Sequence, residues 1–356
     1  MSKRVAFTAV LAASVMVMVT AGCSQSGSDE GGGGSDKPDE LVIAGWGGTF
    51  SDAMYKSVFD PYTEATGIEI IDDSPTDVAK LKSMVDADNV SWDIIMSNPV
   101  ETNSYCDDLY EPVDMSKINA DEFVEGTVTK CGIPFDYYST AMVYDTKKFG
   151  DNPPTSINDF FDTEKYPGKR LFPEDALEFG LEFALIADGV AADQLYPLDV
   201  DRALAKLDTI KDDLIFWKLG DEQVQGMESE AGSMGLVWTG RGQQVAENGG
   251  SFDVVWGAHM IGTTQLAVPK GSKSFDASMD LIKYATSPEP QARFNELMAY
   301  SAANLNAEPK LSDVQQHWDP LSENRAPEDA LFSADYDYWS EHLVEVRTAV
   351  SNWEIG

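Results

Sequence analysis

From residue 41 onward, short apolar runs alternate with segments whose apolar residues recur at helical spacing. Short runs bounded by turn residues are typical of buried strands, and the spacing between them is typical of amphipathic helices. Strands that alternate with helices favour an α/β fold with a mainly parallel sheet. The first predicted elements are strands at 41–44, 68–71 and 92–96 and helices at 50–66 and 78–87.

A second set of elements follows, and no internal repeat is evident. The segment 41–356 is longer than a single hydrophobic core usually supports, so we expect two lobes. The second set contains strands at 141–144, 234–238, 254–256 and 265–269 and helices at 177–187, 200–210, 277–285 and 289–298.

Two loops are the first site candidates, because open parallel sheets bind ligands beyond the carboxyl ends of their strands. The first loop contains Trp46, Gly47 and Gly48, and the second contains Ser97 and Asn98. An exposed indole can stack on a cationic amine, and glycines let backbone N–H groups approach a ligand. The alternative is that the tryptophan packs in the core and the glycines only shape a turn.

The first 40 residues predict export and anchoring. Lys3 and Arg4 precede an apolar run over 5–20, which is too short to span a membrane and ends in small residues before Cys23. We interpret 1–22 as a lipoprotein signal peptide and 23–40 as a lipid-anchored flexible linker, with a short anchor helix as the alternative. The mature protein is then tethered to the outer face of the plasma membrane, or to the outer membrane in a two-membrane envelope.

Charge and residue content narrow the function classes. The chain has 25 Lys and Arg against 61 Asp and Glu, so its net charge is −36 and a nucleic-acid partner is disfavoured. The sequence contains three histidines and no G-x-S-x-G or H-E-x-x-H motif. An extracellular enzyme is therefore the less favoured alternative, and no cofactor is expected.

Two cysteines remain once Cys23 carries lipid. Cys106 and Cys131 would lie in an oxidising compartment, which favours a disulfide between them. Two buried free thiols are the alternative.

Seven motifs occur in an order that resembles a known family, the extracellular solute-binding proteins of the spermidine/putrescine type, which deliver ligands to ABC importers. The paired cysteines also resemble a branch of this family. The motifs are WGGTF (46–50), WDIIMSNP (92–99), CGIPFDYYSTAMVYDTKKF (131–149), SINDFFDTEKYPGKR (156–170), GSMGLVWTGRGQQVA (232–246), FDVVW (252–256) and QLAVPKGS (265–272).

The resemblance implies a two-lobed periplasmic-binding-protein-like fold of type II, with a ligand cleft between the lobes and a hinge that closes over the ligand. By this analogy the first lobe comprises 41–139 plus 263–310, and the second comprises 140–262 plus 311–356. The implied protein is a monomer that works with an ABC permease and its ATPase.

The resemblance also implies residues of the cleft. Trp238 matches an aromatic wall of the pocket, and Tyr137 and Tyr138 match aromatic pocket positions near the crossing between lobes. Glu178 matches, within one residue, a carboxylate that pairs with a ligand ammonium. Core packing of the rings and solvation of the carboxylate are the alternatives, and the acidic neighbours that could replace Glu178 are Glu174, Asp175 and Glu182.

Two positions depart from the polyamine-binding pattern. Thr264, within Thr263-Thr264-Gln265, lies where that pattern has an aspartate for a second amine. Arg241 follows Trp238 by three residues, and a guanidinium repels an amine but binds a carboxylate. The expected ligand is a small nitrogenous solute, either a polyamine or an amine-carrying zwitterion. These departures favour the zwitterion, although Arg241 pairing with a neighbouring acid is also open.

A metal-binding receptor is another alternative. Adjacent tyrosines such as Tyr137 and Tyr138 resemble the phenolate pair of related ferric-ion-binding proteins.

Overall fold

The computed structural model describes residues 37–322 and 329–355. The predicted signal peptide, Cys23 and most of the predicted linker lie outside these described residues. Glu40, the last residue of the predicted linker, pairs with Glu69 in the sheet. Within the described ranges, no helix combines the length and apolar content that crossing a membrane requires.

A nine-stranded mixed sheet organises the described chain, in the order β2-β1-β3-β8-β4-β7-β5-β6, with β9 paired to β4. The predicted strands at 41–44, 68–71, 92–96 and 234–238 are confirmed within one or two residues. The strands are β1 (Glu40–Ala44), β2 (Glu69–Asp72), β3 (Ile94–Ser97), β4 (Ile133–Asp145), β5 (Arg170–Pro173), β6 (Leu214–Trp217), β7 (Met234–Trp238), β8 (Phe252–Ala267) and β9 (Ser301–Ala302).

Helices connect and flank these strands. The predicted helix over 50–66 is confirmed, with a π-helical segment at Tyr55–Phe59 between its two parts and a left-handed Gly67 at its end. The helices are α1 (Gly48–Met54), α2 (Asp60–Thr66), α3 (Val78–Asp86), α4 (Pro99–Ser104), α5 (Thr146–Phe149), α6 (Ile157–Phe161), α7 (Gly180–Ala187), α8 (Val200–Asp208), α9 (Gly220–Glu228), α10 (Thr239–Glu247), α11 (Phe275–Ala285), α12 (Pro288–Asn295), α13 (Asp313–Trp318) and α14 (Tyr336–Ile355).

The antiparallel pair β4 and β8 runs through both halves of the sheet. We expected separate strands at 254–256 and 265–269, but this prediction is wrong: both belong to β8, in which residues 259–264 stay paired with β4 after a register shift. β3 is antiparallel to β8, and β7 is antiparallel to β4, so β3 and β7 run in opposite directions. Their carboxyl ends therefore point toward each other above the middle of β4.

Apolar side chains form separate cores on the two halves. One cluster contains Leu41, Phe50 and Phe294 from the half with β1, β2 and β3. Another contains Phe183 and Trp339 from the half with β5, β6 and β7, so α14 closes that core. The exact division of the chain between the two lobes stays a prediction.

A disulfide joins Cys106 and Cys131, whose Cα atoms are 5.6 Å apart. It links the segment after α4 to the segment that enters β4. Cys131 is buried beside Trp92 and Tyr110 in a small apolar cluster. The bridge therefore fixes the entry to the long central strand.

Replacing Cys106 and Cys131 together by serine should lower the free energy of unfolding. The bridge closes a loop with a sequence separation of 25, and loss of that constraint costs about 3 kcal/mol in the chain-entropy model. Urea unfolding of the variant and of oxidised wild type measures the difference. Reduced wild type is the control and should unfold like the variant, whereas equal stability of variant and oxidised protein would contradict the prediction.

Candidate functional site

A small cavity of about 30 Å³ lies where the carboxyl ends of the two strand sets meet. It opens into a larger mouth groove, which shares Trp46, Asn98, Glu178 and Trp238 with it and extends past Asp175, Gly220 and Arg347. The central cavity is lined by Trp46, Phe50, Asn98, Tyr138, Glu178, Trp238, Arg241, Thr264 and Tyr300.

Trp46 reaches the central cavity from the turn between β1 and α1. Gly47 and Gly48 follow it with φ angles of 76° and 56°, in the region that favours glycine. The Trp46 indole Nε1 donates a hydrogen bond to Thr264 Oγ1 at 3.3 Å. The glycine turn thus directs the ring across to β8.

Aromatic rings form the walls of the central cavity. The ring centroids of Trp46 and Trp238 are 6.5 Å apart, and Tyr138 meets Trp238 edge to face at 6.3 Å. Tyr138 also lies 6.4 Å from Tyr300. Aromatic faces attract cations and also enclose aliphatic chains, so these walls suit an alkylammonium group.

Glu178 supplies a buried carboxylate. It ends the 3-10 turn Ala176–Glu178, and the helix predicted over 177–187 is interrupted here because Phe179 is left-handed, with φ 61°. Glu178 Oε2 accepts hydrogen bonds from Trp238 Nε1 at 2.7 Å and Thr140 Oγ1 at 3.1 Å. Burial raises the pKa of Glu178 to about 7.

Arg241 supplies a buried guanidinium. It lies in α10 with 1% of its surface exposed, and its Nη1 donates to Thr49 Oγ1. The nearest acid in the described structure, Asp221, is 3.7 Å away and two-thirds exposed. Arg241 Nε has no hydrogen-bond partner among the described residues. The cation is therefore incompletely paired, and an anionic ligand group could complete its coordination.

Gly220 makes room for this guanidinium. A Cβ atom at Gly220 would lie 2.2 Å from Arg241 Nε and 2.4 Å from both Cζ and Nη2. These nearly equal distances mean that the start of α9 packs against the guanidinium itself. Any side chain at Gly220 would displace Arg241.

Four predicted site residues do not line the central cavity. Tyr137 is a correction: successive strand residues face opposite sides, so it points away from Tyr138 and donates to Thr127 Oγ1 at 3.3 Å. Ser97 donates instead to Glu101 Oε2 at 2.9 Å. Gly47 shapes the turn, and a Cβ at Gly48 would meet Asp221 Oδ1 at 2.7 Å.

The opposite orientations of Tyr137 and Tyr138 also concern the hypothesis of a ferric-ion-binding receptor. Tyr137 lines a separate cavity with Thr127 and Tyr336, behind the β4–β8 pair, while Tyr138 lines the central cavity. The two phenolates therefore do not converge on one ion. Among the described residues, Cys106, Asp107 and Cys131 lie close enough together to hold a metal ion. The two sulfur atoms of this group are bonded to each other in the disulfide.

Phe50 and Tyr300 line the central cavity, but the sequence did not predict either of them as a site residue. Phe50 follows the glycine turn at the start of the predicted helix, and it is also a core residue with 2% exposure. Tyr300 follows α12 with no local pattern around it. A Cβ at Gly240 would touch its ring at 2.6 Å, so a distant glycine permits its position.

Comparison with known proteins identifies relatives over most of the chain. Residues 57–320 match the family described as bacterial extracellular solute-binding protein. The gamma-aminobutyric acid-binding protein of Pseudomonas aeruginosa is 29% identical over 321 residues, which cover 88% of this chain and 90% of that protein.

Solved structures match as well. The Atu4243-GABA receptor is 34% identical with a TM-score of 0.80, covering 88% of this chain and 97% of its own. The PBP AgtB from A. tumefaciens R10, in complex with agropinic acid, is 31% identical with a TM-score of 0.80, covering 89% and 99%. These matches show the two-lobed α/β periplasmic-binding-protein fold, and they support the resemblance at family level without favouring its spermidine/putrescine type. The chain belongs to the bacterial extracellular solute-binding protein family.

Proposed function

We propose that the protein captures a small zwitterion, with an amine and a carboxylate or similar anion, and delivers it to an ABC importer. One observation carries this proposal: a buried carboxylate, Glu178, and an incompletely paired buried guanidinium, Arg241, line the same aromatic cavity. Glu178 would accept hydrogen bonds from the ammonium, and Arg241 would bind the anion. Trp46, Tyr138 and Trp238 would enclose the aliphatic part.

The named relatives support this ligand class. GABA carries an amine at one end and a carboxylate at the other, and it appears in the names of two relatives. The family consists of solute-binding proteins, which supports a binding role and not an enzymatic one. Closure of the lobes over the ligand would then signal to the permease and ATPase.

A diamine is the second candidate ligand, and one buried residue favours it. Asp136 is fully buried directly opposite Thr264, and its Oδ2 has no hydrogen-bond partner in the described structure. Asp136 does not line the central cavity, however, and Thr264 Oγ1 already accepts from Trp46. The zwitterion therefore agrees better with the groups that a ligand meets.

Anchoring remains part of the proposal. The lipoprotein signal and Cys23 would hold the mature protein outside the cytoplasm at the membrane that carries the permease. The family description as extracellular supports an extracytoplasmic location.

A thermal-shift panel tests the ligand class. The panel contains 4-aminobutyrate, longer amino acids, opine conjugates, aminophosphonates, putrescine and spermidine. A ligand at 100 times its dissociation constant adds about 2.7 kcal/mol of stability, so at least one zwitterion should raise the melting temperature. A panel in which only polyamines act, or in which none does, contradicts the proposal.

Substitutions at Arg241 and Thr264 should show which end of the ligand each position recognises. Arg241→Ala should weaken binding of an amino acid more than tenfold, because losing one partner of a buried charged contact costs about 2–5 kcal/mol. It should not weaken binding of the matched diamine, and Thr264→Asp should favour the diamine. Calorimetric titration measures both.

Arg202→Ala is the matched control, since Arg202 forms an exposed ion pair with Asp188 at 2.6 Å. The proposal would be wrong if wild type preferred the diamine and Arg241→Ala bound with unchanged affinity. The ligand would then be a polyamine.

Ligand affinity should fall as the pH drops below about 7. The pKa of Glu178 is raised to about 7, so at lower pH a proton must leave the carboxyl group before the ammonium binds, and each pH unit costs up to a factor of ten. Affinity at several pH values checks this. Glu178→Gln should remove this slope, whereas a flat wild-type profile would show that the ammonium binds elsewhere.

A further inference from the structure

Arg347 of α14 contacts two acids at the mouth groove. Its Nη2 donates to Glu101 Oε1 at 3.0 Å and to Asp175 Oδ2 at 2.8 Å, and its Nε donates to Asp175 Oδ1 at 3.2 Å. Glu101 is 7% exposed, and the Arg347 side chain is one-third exposed. We call these three residues the ion triad.

Each acid of the ion triad holds a residue that lines the central cavity. Glu101 Oε2 accepts from Asn98 Nδ2 at 3.4 Å, and Asn98 Oδ1 accepts from the Glu101 backbone N–H at 3.0 Å. Asp175 Oδ1 accepts a hydrogen bond from the Leu177 N–H at 3.0 Å, and the Asp175 carbonyl oxygen accepts one from the Glu178 N–H at 3.1 Å. Arg347 thus reaches both Asn98 and Glu178 through one intermediate residue.

The two acids come from opposite sides of the cleft. Glu101 follows β3 and Asp175 follows β5, and these strands belong to the two sets that approach each other over the middle of β4. Separating the sets would pull Glu101 away from Asp175, and Arg347 could then keep only one of them. Without the guanidinium, two carboxylates would face each other at short range and repel.

We propose that Arg347 is a positioning residue whose ion triad holds the cleft closed and sets Asn98 and Glu178 in their binding positions. Arg347 does not line the central cavity, so it acts through Glu101 and Asp175. The proposal concerns the site of the proposed function and rests on it only for the ligand used in one measurement.

The first measurement needs no ligand. Small-angle X-ray scattering compares wild type with Arg347→Met, which keeps the aliphatic stem but removes the charge. The variant should have a larger radius of gyration, and Arg347→Lys should recover part of the difference. Arg202→Met is the control for loss of a surface arginine and should scatter like wild type. Equal scattering by Arg347→Met and wild type overturns the proposal.

The second measurement uses 4-aminobutyrate or the best zwitterion of the thermal panel. Arg347→Met should raise the dissociation rate at least fivefold, because without the ion triad the closed cleft opens more readily. Unchanged dissociation overturns the proposal. A wild type that binds no zwitterion would refute the proposed function, while the scattering result would still decide the role of Arg347.

If Arg347→Met does not fold, Asp175→Asn serves as a second variant that disrupts the ion triad. Asparagine caps helices as well as aspartate, so the Leu177 contact is kept while the charge is lost. This variant should change scattering and dissociation in the same direction as Arg347→Met. In the double variant the effects should be less than additive, since both remove one interaction, and strictly additive effects would overturn the coupling.

Discussion

The pairing of β4 with β8 is the constraint on which the cavity depends. Ser97 at the end of β3 is level with Gln265, and Trp238 at the end of β7 is level with Thr140. Backbone pairing thus sets the register in which the two strand sets face each other along β4 and β8. Tyr138 lies on β4 between these levels, so it forms the floor of the space that remains.

The central cavity contains two ionisable side chains, Glu178 and Arg241, that are buried without a full set of polar partners. Glu178 receives two neutral donors, and Arg241 has a hydroxyl and a distant acid. Burying such groups without full partners is unfavourable, and a ligand that supplies the missing partners recovers part of that cost. Under the proposed function, this arrangement would favour ligands whose charges complement Glu178 and Arg241.

Local patterns predicted the parts of the fold and site that local sequence determines. The glycine turn predicted the position of Trp46, and the apolar strand before Trp238 predicted that ring at its end. The resemblance placed both tyrosines in the pocket, although strand alternation allows only Tyr138 there. The continuity of β8 was missed because its middle contains Gly257 and Gly262, which resemble turn residues. Arg347 escaped prediction since its partners lie 172 and 246 positions away.

The position of α14 has a consequence for how the chain acquires its structure. Trp339 donates from α14 to Glu182 Oε1 at 3.0 Å, across 157 positions, and its ring fills the second core beside Phe179. A chain that emerges from its amino end cannot complete this core until α14 is available. Such late, long-range contacts slow folding. An unfinished chain that lacks α14 therefore leaves Glu182 and the rings around Phe179 without the indole that covers them.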